Sequence, residues 1–281
     1  MIELGPMTFE EIERIFNRAL RFSFSKKKLL LMFPVLVVCG LMLVFCRALA
    51  VNAGHWVVLS LTFLPIFLSS GLLLSAGVVF ARIYTHEVKM IPINIKKLFS
   101  ESWELLVGVS HLTLPLLLAY LFLWMLMGIF YLLKEIPALG DVLGVVLSFG
   151  PFLLVLGSLL LSFFNLFLLF FATPHIAVKA RFKLKLIEEV YRRFKENLFS
   201  NLALFVMGLI PLLLGVGVLT LAAFLTGISF FIKAETLAVA LQWFFVMIPF
   251  CAMLSPGILF FFNFAVESYA LMEKRETRKA V

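Results

Sequence analysis

The chain has 281 residues, 63% hydrophobic, 15% aromatic and 14% charged, with 33 phenylalanines and a formal net charge of +8. Soluble domains carry about 25% charged residues, and this many phenylalanines on a soluble fold would leave an aggregating surface. The composition excludes an ordinary soluble domain and points to an integral membrane protein.

In chain order, the first element is a short amphipathic segment. "IERIF", residues 12–16, begins an apolar stripe of Ile12, Ile15, Phe16 and Ala19 at helical spacing, with charged residues between. Six apolar blocks follow, at 29–46, 56–81, 105–133, 142–172, 202–232 and 236–266. A helix needs about 20 apolar residues to cross a bilayer, so these predict six spans. A charge at a span centre costs roughly 2.5–3.5 kcal/mol, and the centres of the six blocks hold none. The first block runs on into Ala48-Leu49-Ala50, which has the look of a signal-peptidase site, but the region before the block is unusually long and amphipathic for a signal.

The basic residues alternate. Residues 1–28, 82–104, 173–201 and 267–281 hold 6, 4, 7 and 4 of the 24 Lys and Arg. The three connections between them are nearly free of positive charge. The positive-inside rule then predicts both termini in the cytoplasm, in a bacterial inner membrane. The charge is matched to membrane lipids with anionic headgroups on the cytoplasmic side, not to nucleic acid.

The opening pattern recurs. "IKKLF" (95–99) continues to Trp103, and "IEEVY" (187–191) continues to Phe194 and Leu198. Each precedes an odd-numbered span, so each is expected to be a helix lying in the cytoplasmic interface. The interfacial residues are Ile12 and Phe16, then Ile95, Phe99 and Trp103, then Ile187 and Tyr191. Prolines recur in step: Pro34, Pro115 and Pro211 in odd spans, and Pro65, Pro151 and Pro249 in even ones. "LSSGLL" (68–73) is echoed by "LSPGIL" (254–259), and "FFNLF" (163–167) by "FFNFA" (261–265). We read one membrane domain built from three repeats, about 9–82, 93–173 and 185–270. The fold class is an all-α integral membrane protein of three transmembrane hairpins, each preceded by an amphipathic helix. An even number of spans keeps each copy in the same orientation.

Mitochondrial carriers share a plan of three two-span units, but their Pro-x-acidic-x-x-basic signature is missing here: Pro34, Pro115 and Pro211 are followed by Val35, Leu116 and Leu212. The run "LIEEVYRRFKENLFSNLALFVMGLIPLLLG" (186–215) resembles the amphipathic helix and Leu/Phe-rich span repeated in the membrane domain beside some bacterial glycerophosphodiester phosphodiesterases, and in related uncharacterised six-span bacterial proteins. That resemblance implies a six-span all-α membrane domain and carries over no catalytic residue.

Chemistry-bearing residues are sparse. His55, His86, His111 and His175 form no ligand cluster, and the three cysteines lie in spans without metal or disulfide spacing. No cofactor or metal is expected. Glu267, at the cytoplasmic end of the last span, is the nearest approach to the intramembrane carboxylate a proton-coupled transporter needs, with a snorkelled or cap-side carboxylate as its expected role. Asn165 and Asn263 are the polar side chains deepest in the spans. An amide in lipid must find a partner, so they are read as packing contacts or as the lining of a polar cavity. Pro34 and Pro115 are placed in the first turns of their spans, where proline is tolerated. Pro65, Pro151, Pro211, Pro249 and Pro256 lie deeper, where each removes a backbone hydrogen bond and is a candidate hinge.

Two function classes follow. The first is a non-enzymatic membrane component that supports a membrane or lipid process, with a membrane protein or a second copy as partner. The second is a permease for an uncharged or apolar solute or lipid along the repeat axis. A dry, packed axis distinguishes the first from the second. An enzyme is disfavoured by the lack of acid–base groups within the spans.

Overall fold

The computed structural model describes residues 9–50, 53–92, 107–134, 136, 149–179, 198–227 and 237–280. Helices account for nearly all of them: α1 (Phe9–Ser23), α2 (Lys26–Leu49), α3 (His55–Val88), α4 (Leu114–Lys134), α5 (Phe149–Lys179), α6 (Leu198–Leu225) and α7 (Leu237–Ala280). A 3-10 turn, His111–Thr113, leads into α4. Six helices are long and apolar enough to cross a membrane, over Lys26–Leu49, Trp56–Val88, Val107–Lys134, Phe149–Val178, Leu198–Leu225 and Leu241–Arg275. The chain is a multipass membrane protein, helical throughout its described residues apart from short turns and connections. The expected segments around Ile95, Phe99 and Trp103, and around Ile187 and Tyr191, lie outside the described residues.

α1 forms where Glu10 and Glu11 meet the positive N-terminal end of the helix dipole and Arg21 meets the negative end. Extended backbone at Ser25 (φ −65°, ψ 119°) separates it from α2. The stripe expected to face the interface is covered by protein. Ile15 and Ala19 are buried, and the Phe16 ring lies 4.9 Å from Phe260 and 6.0 Å from Phe264 of α7.

α2 starts earlier than its apolar block, because Lys26, Lys27 and Lys28 are already helical. This corrects the placement of Pro34, which falls in the helix interior and not in the first turn. α2 buries one row at four-residue spacing: Lys28, Met32, Leu36, Gly40 and Val44. A side chain at Gly40 would lie 2.5 Å from Met247 Cγ, so glycine there permits the close approach of α2 and α7. Cys251 Sγ donates to the Leu36 carbonyl across the same contact, at 3.2 Å.

The second helix of each successive pair forms the centre: α3, α5 and α7 pack against one another. α2 packs on α3 and α7, and α4 on α5 and α3. α6 packs on α7 and, through Phe205 against Phe167 and Phe170, on α5. At α3, Gly77 leaves no room for a Cβ against the Phe262 ring. At α6, a Cβ on Gly208 would stand 2.8 Å from Phe170 Cε2. In lipid the helices gain little from burying apolar surface, so close packing of this kind is what holds them together.

Burial is concentrated at one end of the bundle. Every residue of α7 from 259 to 269 is buried, whereas Leu241, Phe244, Phe245 and Ile248 are exposed. α5 buries 172–177 and exposes Phe152, Leu153, Leu159 and Leu160, and α6 buries Leu204 and Phe205 but exposes Leu213 and Leu214. The packed end is the one from which the Lys/Arg-rich segments leave. The other end presents apolar side chains outward, as a helix facing hydrocarbon does.

Candidate functional site

Polar groups gather at the packed end, where α1, α2, α3 and α7 meet. Lys28 opens the buried row of α2, so its side chain turns inward while Lys26 and Lys27 remain exposed. Its Nζ is 2.6 Å from Glu87 Oε2 near the end of α3, and it lies 5.7 Å and 5.5 Å from the ring centres of Phe22 and Tyr84. A buried ammonium needs such compensation, because an unpaired charge in a low-dielectric interior is strongly unfavourable. The two rings add cation–π contact to the ion pair.

Glu267 is the second buried charge, at 7% exposure. The Tyr84 hydroxyl donates to its Oε1 at 2.5 Å, and Arg18 of α1 stands 3.5 Å from the same oxygen. The snorkelled carboxylate expected from sequence is instead an internal acceptor joining α1, α3 and α7. Asn263, one turn earlier on α7, donates from Nδ2 to Ser23 Oγ at 3.0 Å, and Ser23 donates to the Ala19 carbonyl at 2.7 Å. Further out, Arg275 meets Glu11 at 2.6 Å. α1 is thus fixed to α7 by Glu11, Arg18 and Ser23 in addition to its apolar stripe.

Asn165 is buried on α5, and its Oδ1 has no hydrogen-bond partner among the described residues; the same holds for Asn263 Oδ1, Thr173 Oγ1 and Ser268 Oγ. The candidate hinge prolines occupy different settings: Pro65 is buried in α3, Pro151 is half-buried three residues into the described part of α5, Pro211 is half-buried in α6, and Pro249 is exposed on α7. His86 and His175 lie within α3 and α5. His175 is buried, with its ring edge-on to Tyr269 at 5.7 Å. His111 is exposed, and its Nδ1 is 2.6 Å from the Val107 carbonyl. Among the described residues no group of three His, Cys, Asp or Glu side chains could hold a metal ion.

Sequence reasoning missed Lys28, Tyr84 and Glu87. Lys28 was one of three consecutive lysines, and only the helical phase of Met32, Leu36, Gly40 and Val44 singles it out. Tyr84 and Glu267 are 183 residues apart and share no motif.

The arrangement is suited to joining helices. Among the described residues the buried charges Lys28 and Glu267 each have a partner on another helix, and the carboxylates are used as acceptors. Compared with known proteins, the chain matches no family model, no curated protein and no solved structure.

Proposed function

We propose that this chain is a non-enzymatic membrane component that assists a membrane or lipid process, held in a bacterial inner membrane with both termini and α1 on the cytoplasmic side. The observation carrying this reading is the use made of charge. Among the described residues the buried Lys28 and Glu267 both serve inter-helix contacts, to Glu87 and to Tyr84 and Arg18. Proton-coupled carriers and membrane enzymes keep an ionisable group available in the membrane.

The packed axis argues in the same direction. Where α3, α5 and α7 meet, Phe262 fills the space over Gly77, and Phe170 lies 5.3 Å from Phe261. A permease for an uncharged solute or lipid is the second reading, and it would need this end to open. The cyclic pattern of helix contacts supports three repeats related about that axis, as does the resemblance to the six-span domain noted from sequence.

The test is reconstitution of the purified protein into vesicles. No protein-dependent release of glycerol or glucose is expected, and no protein-dependent transfer of fluorescent phosphatidylcholine between leaflets. Flux scaling with the amount of protein would overturn the reading in favour of the permease.

A further inference from the structure

We propose that the groove between α1, α6 and α7 is a binding site for one anionic phospholipid, with an acyl chain in the groove and the phosphate held by Arg21, Lys26 and Lys27. The inference rests on the bilayer placement proposed above and not on the absence of transport.

The groove has a volume of about 190 Å³ and is open on one side. Its walls include Leu20 and Phe24 from the end of α1, Leu212 and Gly215 from α6, and Leu254 and Gly257 from α7. These groups are apolar, and those on α6 and α7 belong to membrane spans, so the opening faces hydrocarbon. Gly215 and Gly257 add no side chain to its walls. A Cβ on Gly215 would come no nearer than 3.8 Å to Leu254 Cδ2, and one on Gly257 would meet Leu212 Cα at 3.6 Å. An unbranched hydrocarbon chain suits a slot of this lining.

Charge selects the headgroup. Phe24 is 61% exposed and lies at the turn between α1 and α2. Arg21 precedes it by one helical turn, and Lys26 and Lys27 follow within three residues; all three are exposed. The neighbouring carboxylates Glu87, Glu267 and Glu11 are engaged by Lys28, by Arg18 and Tyr84, and by Arg275. Glu10 and Glu13 lie toward the N-terminal end of α1, away from Phe24. Among the described residues the charge beside Phe24 is therefore positive, and each basic residue near an anionic membrane surface strengthens the attraction to it about fivefold. A zwitterionic lipid could fill the groove but would gain little from this charge.

Native mass spectrometry of the full chain in detergent, with added dioleoylphosphatidylglycerol or dioleoylphosphatidylcholine, tests the proposal. One tightly held phosphatidylglycerol is expected per chain, retained at least about fivefold better than phosphatidylcholine. Replacing Arg21, Lys26 and Lys27 with glutamine should abolish that preference and leave phosphatidylcholine retention unchanged. Gly215→Phe, which fills the groove, should reduce retention of both lipids, and the smaller Gly215→Leu should do so in part. Thermal unfolding of each variant reports whether the bundle is intact. Equal retention of the two lipids by the wild-type chain would overturn the proposal. So would a preference for phosphatidylglycerol that survives the triple charge variant, or lipid retention undiminished in a folded Gly215→Phe variant, since either result would mean nonspecific annular lipid only.

Discussion

The Tyr84 hydroxyl donates a hydrogen bond to Glu267 at 2.5 Å, joining the ends of α3 and α7 within the buried part of the bundle. A hydrogen bond to a charged acceptor contributes about 1.5–3 kcal/mol, and leaving the acceptor unsatisfied forfeits more. Tyr84→Phe should therefore destabilise the protein by about 2 kcal/mol, read as a lower midpoint of thermal unfolding in detergent. Glu267→Gln keeps an acceptor for Tyr84 and should cost less. Equal stability of Tyr84→Phe and wild type would show that this bond does not hold α3 to α7.

The Lys28–Glu87 pair should respond asymmetrically. Lys28 is 1% exposed and Glu87 is 20% exposed. Glu87→Gln leaves a buried ammonium without its counter-charge, a change that costs about 3–5 kcal/mol where one partner of a buried pair is removed. Lys28→Met leaves a carboxylate that can still reach water, so it should cost less, and the double variant should recover much of the loss of Glu87→Gln. A double-mutant cycle on unfolding midpoints measures this. Additive single effects would contradict the coupling.

Two glycines of the same protein should behave oppositely. At Gly77 a Cβ would overlap the Phe262 ring, which is 1% exposed and held between helices. At Gly217 nothing lies within 4 Å of the added atom. Gly77→Ala should therefore destabilise by about 1–3 kcal/mol through overpacking. Gly217→Ala should be neutral or stabilise slightly, since alanine is the better helix former by roughly 1 kcal/mol. Unfolding midpoints of the two variants, measured side by side, decide the point.

Asn263→Leu should loosen α1. Its amide donates to Ser23 Oγ at 3.0 Å, and leucine has no donor. Faster hydrogen exchange confined to α1, with α3 and α5 unchanged, is the expected signature. A variant with both Asn165 and Asn263 replaced by leucine should show the same loosening of α1, through Asn263.

Orientation is open to direct test. The proposed topology places reporters fused at Ala50, Glu135 and Lys233 outside the cytoplasm, and reporters fused after Lys89 and Lys179 inside. An outside signal after Lys89 or Lys179 would reverse the assignment of α1 to the cytoplasmic face.

Six helices were legible in the sequence because length and hydropathy are local properties: about 20 apolar residues make a span whatever packs beside them. The stripe of α1 was equally plain, since Ile12, Ile15, Phe16 and Ala19 alternate with charged residues. What covers that stripe was not legible, because lipid and α7 are equally apolar to Phe16. The same ambiguity hid the core. A helix that is apolar all round marks no inward face, and in lipid hydrophobicity does not separate bundle contacts from bilayer contacts. Tertiary structure decided that Phe262 lies over Gly77, that Lys28 rather than Lys26 or Lys27 turns inward to Glu87, and that Glu267 meets Tyr84 and Arg18. Those pairings depend on side-chain shape and on the satisfaction of buried charge across long sequence separations. Composition and periodicity record neither.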